Sequence, residues 1–134
     1  MIIGLGTDLV DIRRIERSIT RFGASFCDRI FTAQERDLCD SRTGNKRISA
    51  YAIRFAAKEA CSKALGTGLR QGVFWKDMQV KHMSGGKPYM VLSGGALKRL
   101  ETLVPSGKTP QIDVSLTDEY PYAMAVVIVS AEKE

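Results

Sequence analysis

One histidine and three cysteines are all the imidazole and thiol this 134-residue chain holds. His82 stands alone, which excludes a zinc centre built on several imidazoles. Cys27, Cys39 and Cys61 form an odd set without CxxC spacing, so no disulfide framework is expected. Cys61 lies within a helical pattern and reads as a small buried apolar group. Long apolar runs are missing too: the longest, Ala123 to Val129, falls far short of the roughly 20 residues a membrane helix needs. Met1-Ile2-Ile3-Gly4 lacks the basic segment and apolar core of a secretory signal. The 12 glycines and 4 prolines follow no period, and 44% hydrophobic against 26% charged residues excludes a disordered chain. These absences predict a soluble, cytoplasmic protein with residues 1–134 forming a single domain.

Positive charge is what the chain has in excess. Twenty Lys and Arg oppose fifteen Asp and Glu, a net +5. Residues 1–63 hold twelve basic and eight acidic groups, whereas residues 64–134 hold eight and seven. Such an excess favours anionic partners: phosphates, acidic proteins, nucleic acid or anionic lipid. A solvated basic surface would read the same way.

Periodicity predicts an α+β protein, helices mostly first and a largely antiparallel sheet after them. Met1 to Leu5 reads as a strand ending in a turn at Gly6-Thr7-Asp8. Asp11 caps a helix with apolar Ile12, Ile15, Ile19 and Phe22, stopped by Gly23. Its other face carries Arg13, Arg17 and Arg21 at i, i+4, i+8, flanked by Arg14. Thr32-Ala33-Gln34-Glu35 fits a capping box. Ser41 to Lys46 reads as a loop, and Arg47 to Leu65 as the longest helix, closed by Gly66. From Met78 the period falls to two: Met78, Val80 and His82 alternate with polar residues. A turn at Ser84–Pro88 leads into Tyr89 to Leu92. Leu97, Leu100 and Val104 mark another helix. Ile112, Val114 and Leu116 alternate before a turn at Asp118–Pro121, and Tyr122 to Ser130 is apolar on both faces, as befits a central strand.

Glu59 is the residue that stands out. The stripe Ile48, Ala52, Phe55, Glu59, Ser62 places a carboxylate on a mainly apolar helix face, which costs several kcal/mol unless the charge is paired, hydrogen-bonded or bound to a cation. Lys63 follows four residues later. The two form either an ordinary helix-surface pair, worth about 0.2–0.5 kcal/mol, or a metal ligand beside a lysine free for a substrate phosphate. Asp8 is the natural second carboxylate, although acids at strand ends are often turn-formers; two carboxylates with substrate phosphates and water commonly hold Mg²⁺. The glycine-rich segments are not phosphate loops. Gly4-Leu5-Gly6-Thr7-Asp8-Leu9 lacks the third glycine of the dinucleotide fingerprint, Gly66–Gly72 follows a helix, and Gly86-Lys87-Pro88 lacks the preceding GxxxxG. His82 reads as a packed or surface residue and Trp75 as core.

Two separated motifs carry a resemblance. Gly4-Leu5-Gly6-Thr7-Asp8-Leu9-Val10-Asp11-Ile12, then Arg54-Phe55-Ala56-Ala57-Lys58-Glu59-Ala60 with Ser62-Lys63-Ala64-Leu65-Gly66-Thr67-Gly68, resemble the holo-acyl-carrier-protein synthases. These are the short, bacterial-type 4′-phosphopantetheinyl transferases. The likeness runs along the whole chain, through Gly86-Lys87-Pro88 to Val114-Ser115-Leu116-Thr117. It implies an α+β homotrimer with active sites at subunit boundaries. It also implies transfer of the 4′-phosphopantetheine arm of coenzyme A to a serine of apo-acyl carrier protein, releasing adenosine 3′,5′-bisphosphate, in fatty acid biosynthesis. By motif position, Asp8 and Glu59 would hold Mg²⁺, with Glu59 and Lys63 catalytic and Lys63 on the coenzyme A pyrophosphate. Arg54 would face the 3′-phosphate, and Lys87 and Pro88 would border the nucleotide. Many relatives carry histidine where this chain has Asp118, which the resemblance sets at coenzyme A; some carry aspartate.

The attacking serine belongs to the partner, so no nucleophile motif is expected here. Either Glu59 or a metal-bound water would take its proton. Carrier proteins are acidic, so Arg14, Arg17 and Arg21 would dock an acidic helix. A basic nucleic-acid-binding module is the competing reading of the arginine row. It leaves Glu59 unexplained and lacks interleaved aromatics for base stacking. A non-catalytic subunit keeping the fold would not need Asp8, Glu59 and Lys63. The expected partners are carrier protein and coenzyme A, not nucleic acid or membrane.

Overall fold

A computed structural model describes residues 1–133 and is α+β, as the periodicity predicts. Strand β1 (Ile2–Asp11) leads into helices α1 (Ile12–Phe22), α2 (Ala24–Ile30), α3 (Ala33–Asp40) and α4 (Gly44–Ala64). After a 3₁₀ turn at Trp75–Asp77 come β2 (Met78–His82), β3 (Pro88–Leu92), α5 (Gly94–Leu103), β4 (Lys108–Glu119) and β5 (Tyr122–Lys133). The antiparallel sheet runs β1-β5-β4, with the doubly apolar strand at its centre, and β2-β3 form a separate hairpin. No described helix is long and apolar enough to cross a membrane.

The first strand does not turn at Gly6-Thr7-Asp8. Pairing with β5 continues from Gly4↔Val129 through Asp8↔Ala125 to Asp11↔Tyr122. The glycines are there because α4 lies against them. A Cβ on Gly4 would collide with the carbonyl oxygen of Ala64, and one on Gly6 with that of Ala60 and, at 2.7 Å, with the Ala64 nitrogen. Missing side chains on the strand and alanines on the helix bring the two backbones together. Inward residues of β5, from Ala123 and Ala125 to Val127 and Val129, are buried beneath the same helix.

Asp11 caps α1 as expected, its Oδ1 accepting from the Arg13 amide at 2.9 Å. Ile12, Ile15 and Ile19 are buried, and Gly23 ends the helix at φ 55°. Phe22 departs from the expected stripe: it is 54% exposed, with the Arg21 guanidinium 5.1 Å from its ring centroid. Helix α2 carries buried Phe26, Cys27 and Ile30 and is too short to show a period in the sequence. Thr32 and Glu35 form the capping box of α3. The expected loop at Ser41–Lys46 shrinks, because α4 begins at Gly44 despite its polar first turn.

On the far side of α4, Phe26, Phe31, Tyr51, Phe55 and Trp75 form an aromatic cluster, with Phe55 and Trp75 ring centroids 5.0 Å apart. Beneath it lies a buried ion pair. Lys58 Nζ meets Glu35 Oε1 at 2.7 Å, and both side chains are at most 1% exposed. Nζ also donates to the carbonyls of Met78 (2.7 Å) and Trp75 (3.1 Å). Glu35 accepts from the amides of Thr32 and Val80, each at 2.9 Å. The network ties α3 and α4 to β2 and leaves neither charge unpartnered, the condition under which burial is tolerable.

Candidate active site

The contact between Gly4–Gly6 and α4 sets the first cluster. Asp8 is on the helix-facing side of β1, and Glu59 and Lys63 follow from the turns of α4 that touch that strand. Lys63 Nζ lies 3.2 Å from Asp8 Oδ1 and donates to the Thr7 carbonyl at 3.0 Å. Lys63 therefore reaches across to the strand; among the described residues it makes no ion pair back to Glu59, and it is not the free cation expected. Glu59 is half-buried. Burial and then the negative charge of Asp8 push its carboxyl above the ordinary value, while Lys63 and Arg14 pull it back. Asp8, Glu59, Lys63 and Arg14 thus share one electrostatic neighbourhood.

No third His, Cys, Asp or Glu joins the two carboxylates among the described residues. The donor set does not suit an all-protein zinc or calcium cage. It does suit an ion that keeps most of its water and takes one or two carboxylates plus substrate phosphates. The charge repulsion felt by Glu59 is what such a cation would relieve.

A second cluster lines a cleft of about 690 Å³ between the start of α4, the β2-β3 hairpin and the end of β4. Arg54, Pro88 and Asp118 meet there with Arg42, Lys46 and His82. Lys87 is exposed on the hairpin next to Pro88. Arg54 is 2% exposed; its Nη1 donates to the Ala50 carbonyl at 3.0 Å, while Nε has no acceptor among the described residues. Burial lowers the Arg54 pKa, and burial with the Arg54 and Arg42 charges lowers that of His82. A buried guanidinium with an unused donor, beside two more cations, is suited to an anion. Sequence reasoning missed Arg42 and Lys46 because they fall in the segment read as a loop. Arg42 does lie in the turn before α4, whereas the spacing of Lys46 with Ser49 and Ile53 is the helical period that signals one face.

The third cluster is the outer face of α1. Arg14, Arg17 and Arg21 are exposed and make no ion pair among the described residues, whereas Arg13 is held by Asp11 at 2.7 Å. Arg14 belongs to both this face and the carboxylate cluster. None of Asp8, Glu59 and Lys63 lines the Arg54 cleft. One chain therefore holds a carboxylate cluster and an anion cleft as separate parts.

The sequence pattern of the 4′-phosphopantetheinyl transferase superfamily matches residues 4–125. A holo-[acyl-carrier-protein] synthase of Rhizobium leguminosarum bv. trifolii is 58% identical over 100% of this chain and 98% of that protein. The crystal structure of the holo-[acyl-carrier-protein] synthase of Neisseria meningitidis superposes with a TM-score of 0.84 at 35% identity, covering 97% of this chain and 99% of the other. That of Helicobacter pylori, in complex with coenzyme A, gives 0.78 at 30% identity, covering 94% and 99%.

Proposed function

The chain belongs to the 4′-phosphopantetheinyl transferase superfamily, and on that premise we propose that it is a holo-[acyl-carrier-protein] synthase. It moves the 4′-phosphopantetheine arm of coenzyme A onto a serine of apo-acyl carrier protein, releases adenosine 3′,5′-bisphosphate, and serves fatty acid biosynthesis in the cytoplasm. The observation that carries this reading is the convergence of Asp8 and Glu59 beside Lys63, from residues more than fifty positions apart.

Asp8 and Glu59 would hold Mg²⁺, which supplies charge neutralisation at the diphosphate when bound. The rest is positioning, which dominates phosphoryl-type transfer. Lys63 sets a positive charge where negative charge builds on the diphosphate oxygens. Arg54, with its free Nε, receives the 3′-phosphate, and Lys87, Pro88 and Asp118 border the nucleotide. Arg14, Arg17 and Arg21 hold an acidic helix of the carrier protein, with Arg14 nearest the reacting phosphorus. The carrier's serine oxygen attacks that phosphorus as its proton passes to Glu59 or to water, and the bond to the departing bisphosphate breaks.

Residues 1–134 act as one transferase domain, and three copies complete the sites. The sheet face turned away from α4 supports this assembly. Leu5 and Leu9 are 62% and 63% exposed on β1, opposite Ile128 and Met124 of β5. Packing that face against other copies would bring the carboxylates of one chain to the cleft of the next, and the two clusters are separate within one chain. Mass spectrometry of apo-carrier protein after incubation with coenzyme A and Mg²⁺ tests the activity. The phosphopantetheine adduct is expected with wild type and not with Glu59→Gln. Full adduct formation by the variant would remove Glu59 from the mechanism.

A further inference from the structure

One oxygen of Asp8 is already engaged by a cation of the chain itself. Lys63 Nζ sits 3.2 Å from its Oδ1 and is fixed from a second direction by the Thr7 carbonyl at 3.0 Å. The Asp8 side chain is only 16% exposed, whereas that of Lys63 is 50% exposed. The carboxylate is thus held in place by the strand, and the ammonium, on a flexible four-carbon stem, is the mobile partner. A divalent ion bridging Asp8 and Glu59 and an ammonium at Asp8 Oδ1 would put like charges in the same small space. Two cations on one carboxylate repel one another, so each weakens the other's hold on Asp8.

We infer that Lys63 is a built-in competitor for the divalent ion: it fills the cation's place on Asp8 until the ion arrives, and is then released toward the diphosphate. This deepens the proposed Mg²⁺ site and rests on it. Three consequences follow from the geometry. The free enzyme binds divalent ions weakly. Coenzyme A and the ion favour one another's binding, because a diphosphate gives the displaced ammonium a new anionic partner. Lys63 also keeps the two carboxylates from facing each other uncompensated.

Direct binding of Mn²⁺, read from loss of the free-ion electron paramagnetic resonance signal without coenzyme A, tests the inference. Wild type, Lys63→Met, Arg14→Met and Asp8→Asn are compared, each checked for folding by circular dichroism. Lys63→Met should tighten Mn²⁺ binding about tenfold or more, because both an occupant and a like charge are removed. Arg14→Met removes a charge felt by Glu59 but no occupant of Asp8, and should tighten it only about twofold. Asp8→Asn should abolish binding. Equal gains from Lys63→Met and Arg14→Met would reduce the effect to general electrostatics and overturn the competitor role, as would unchanged or weaker binding in Lys63→Met. If neither wild type nor Lys63→Met binds Mn²⁺, or if Asp8→Asn retains it, the metal-site reading itself fails and takes the inference with it.

Discussion

Replacing Gly6 by alanine tests how the site is assembled, because it adds one methyl group at the contact that sets helix against strand. The new Cβ would collide with the Ala60 carbonyl and lie 2.7 Å from the Ala64 nitrogen. Both are backbone atoms of a 21-residue helix packed on two strands, so neither can swing aside as a side chain would. Overpacking of this kind costs typically about 1–3 kcal/mol, and collision with backbone on successive helical turns places Gly6→Ala near the upper end. With an unfolding entropy of about 2.1 cal/mol/K per residue over 134 residues, about 3 kcal/mol lowers the melting temperature by roughly 10 °C. Relief by sliding α4 outward would move Glu59 and Lys63 away from Asp8, and a misplacement of about 1 Å can reduce turnover roughly a hundredfold. Circular-dichroism melting and holo-carrier formation, with Gly85→Ala as a control that meets no atom of the described residues within 4 Å, measure both effects. A Gly6→Ala protein that melts with wild type and keeps full turnover would refute the claim that this contact aligns the site.

Four further outcomes follow from the same structure. Glu59 has a raised carboxyl pKa, so the native state holds its proton longer than the unfolded chain, and stability falls as pH rises past the ordinary value of 4.5. Without divalent ions, Glu59→Gln should therefore be the more stable protein at neutral pH in urea titrations, with the advantage gone below that value. Lys58→Met leaves the Glu35 carboxylate buried without its cation and should cost about 3–5 kcal/mol, while adding Glu35→Gln should recover part of the loss. Arg14→Glu with Arg17→Glu should raise the apparent KM for carrier protein and leave that for coenzyme A nearly unchanged. On the proposed three-chain assembly, Leu5→Lys with Leu9→Lys should give single chains in size exclusion with light scattering, and turnover should fall with it.

Much of the architecture was legible because its signals are local. The Asp11 cap, the Thr32–Glu35 box, the change of period at Met78 and the doubly apolar central strand all lie within short windows. What was missed depends on distant partners. Gly6-Thr7-Asp8 looks like a turn because glycine before aspartate usually is one; only a helix more than fifty residues away makes those glycines strand residues. The polar first turn of α4 resembles a loop until the anion cleft it lines is seen. The 11-residue stripe of α1 was readable, yet the seven residues of α2 were not, since two turns hold too few positions to separate helix from chance. Among site residues, Glu59 announced itself as a charge on an apolar face, and Lys58 beside it gave no such sign. Its burial is set by Glu35 and by the carbonyls of Trp75 and Met78.

Lys58 and Glu59 together show how one helix serves two faces. Successive residues of α4 turn by about 100°, so Arg54 and Lys58 share one side while Glu59 and Lys63 look out from the other. The first side is anchored by charge that cannot shift cheaply: Lys58 is pinned between Glu35 and the carbonyls of Trp75 and Met78. The second is anchored by contact, through Ala60 and Ala64 against glycines of β1. A rotation of α4 that moved Glu59 away from Asp8 would have to pull Lys58 out of its cage and drive helix backbone into strand backbone. The carboxylates are thereby held at close quarters despite their repulsion, with half-exposed Lys63 the cation in contact with Asp8. Rigidity in the helix and exposure of the lysine are complementary: the first preserves a place for a cation, and the second allows that place to change hands.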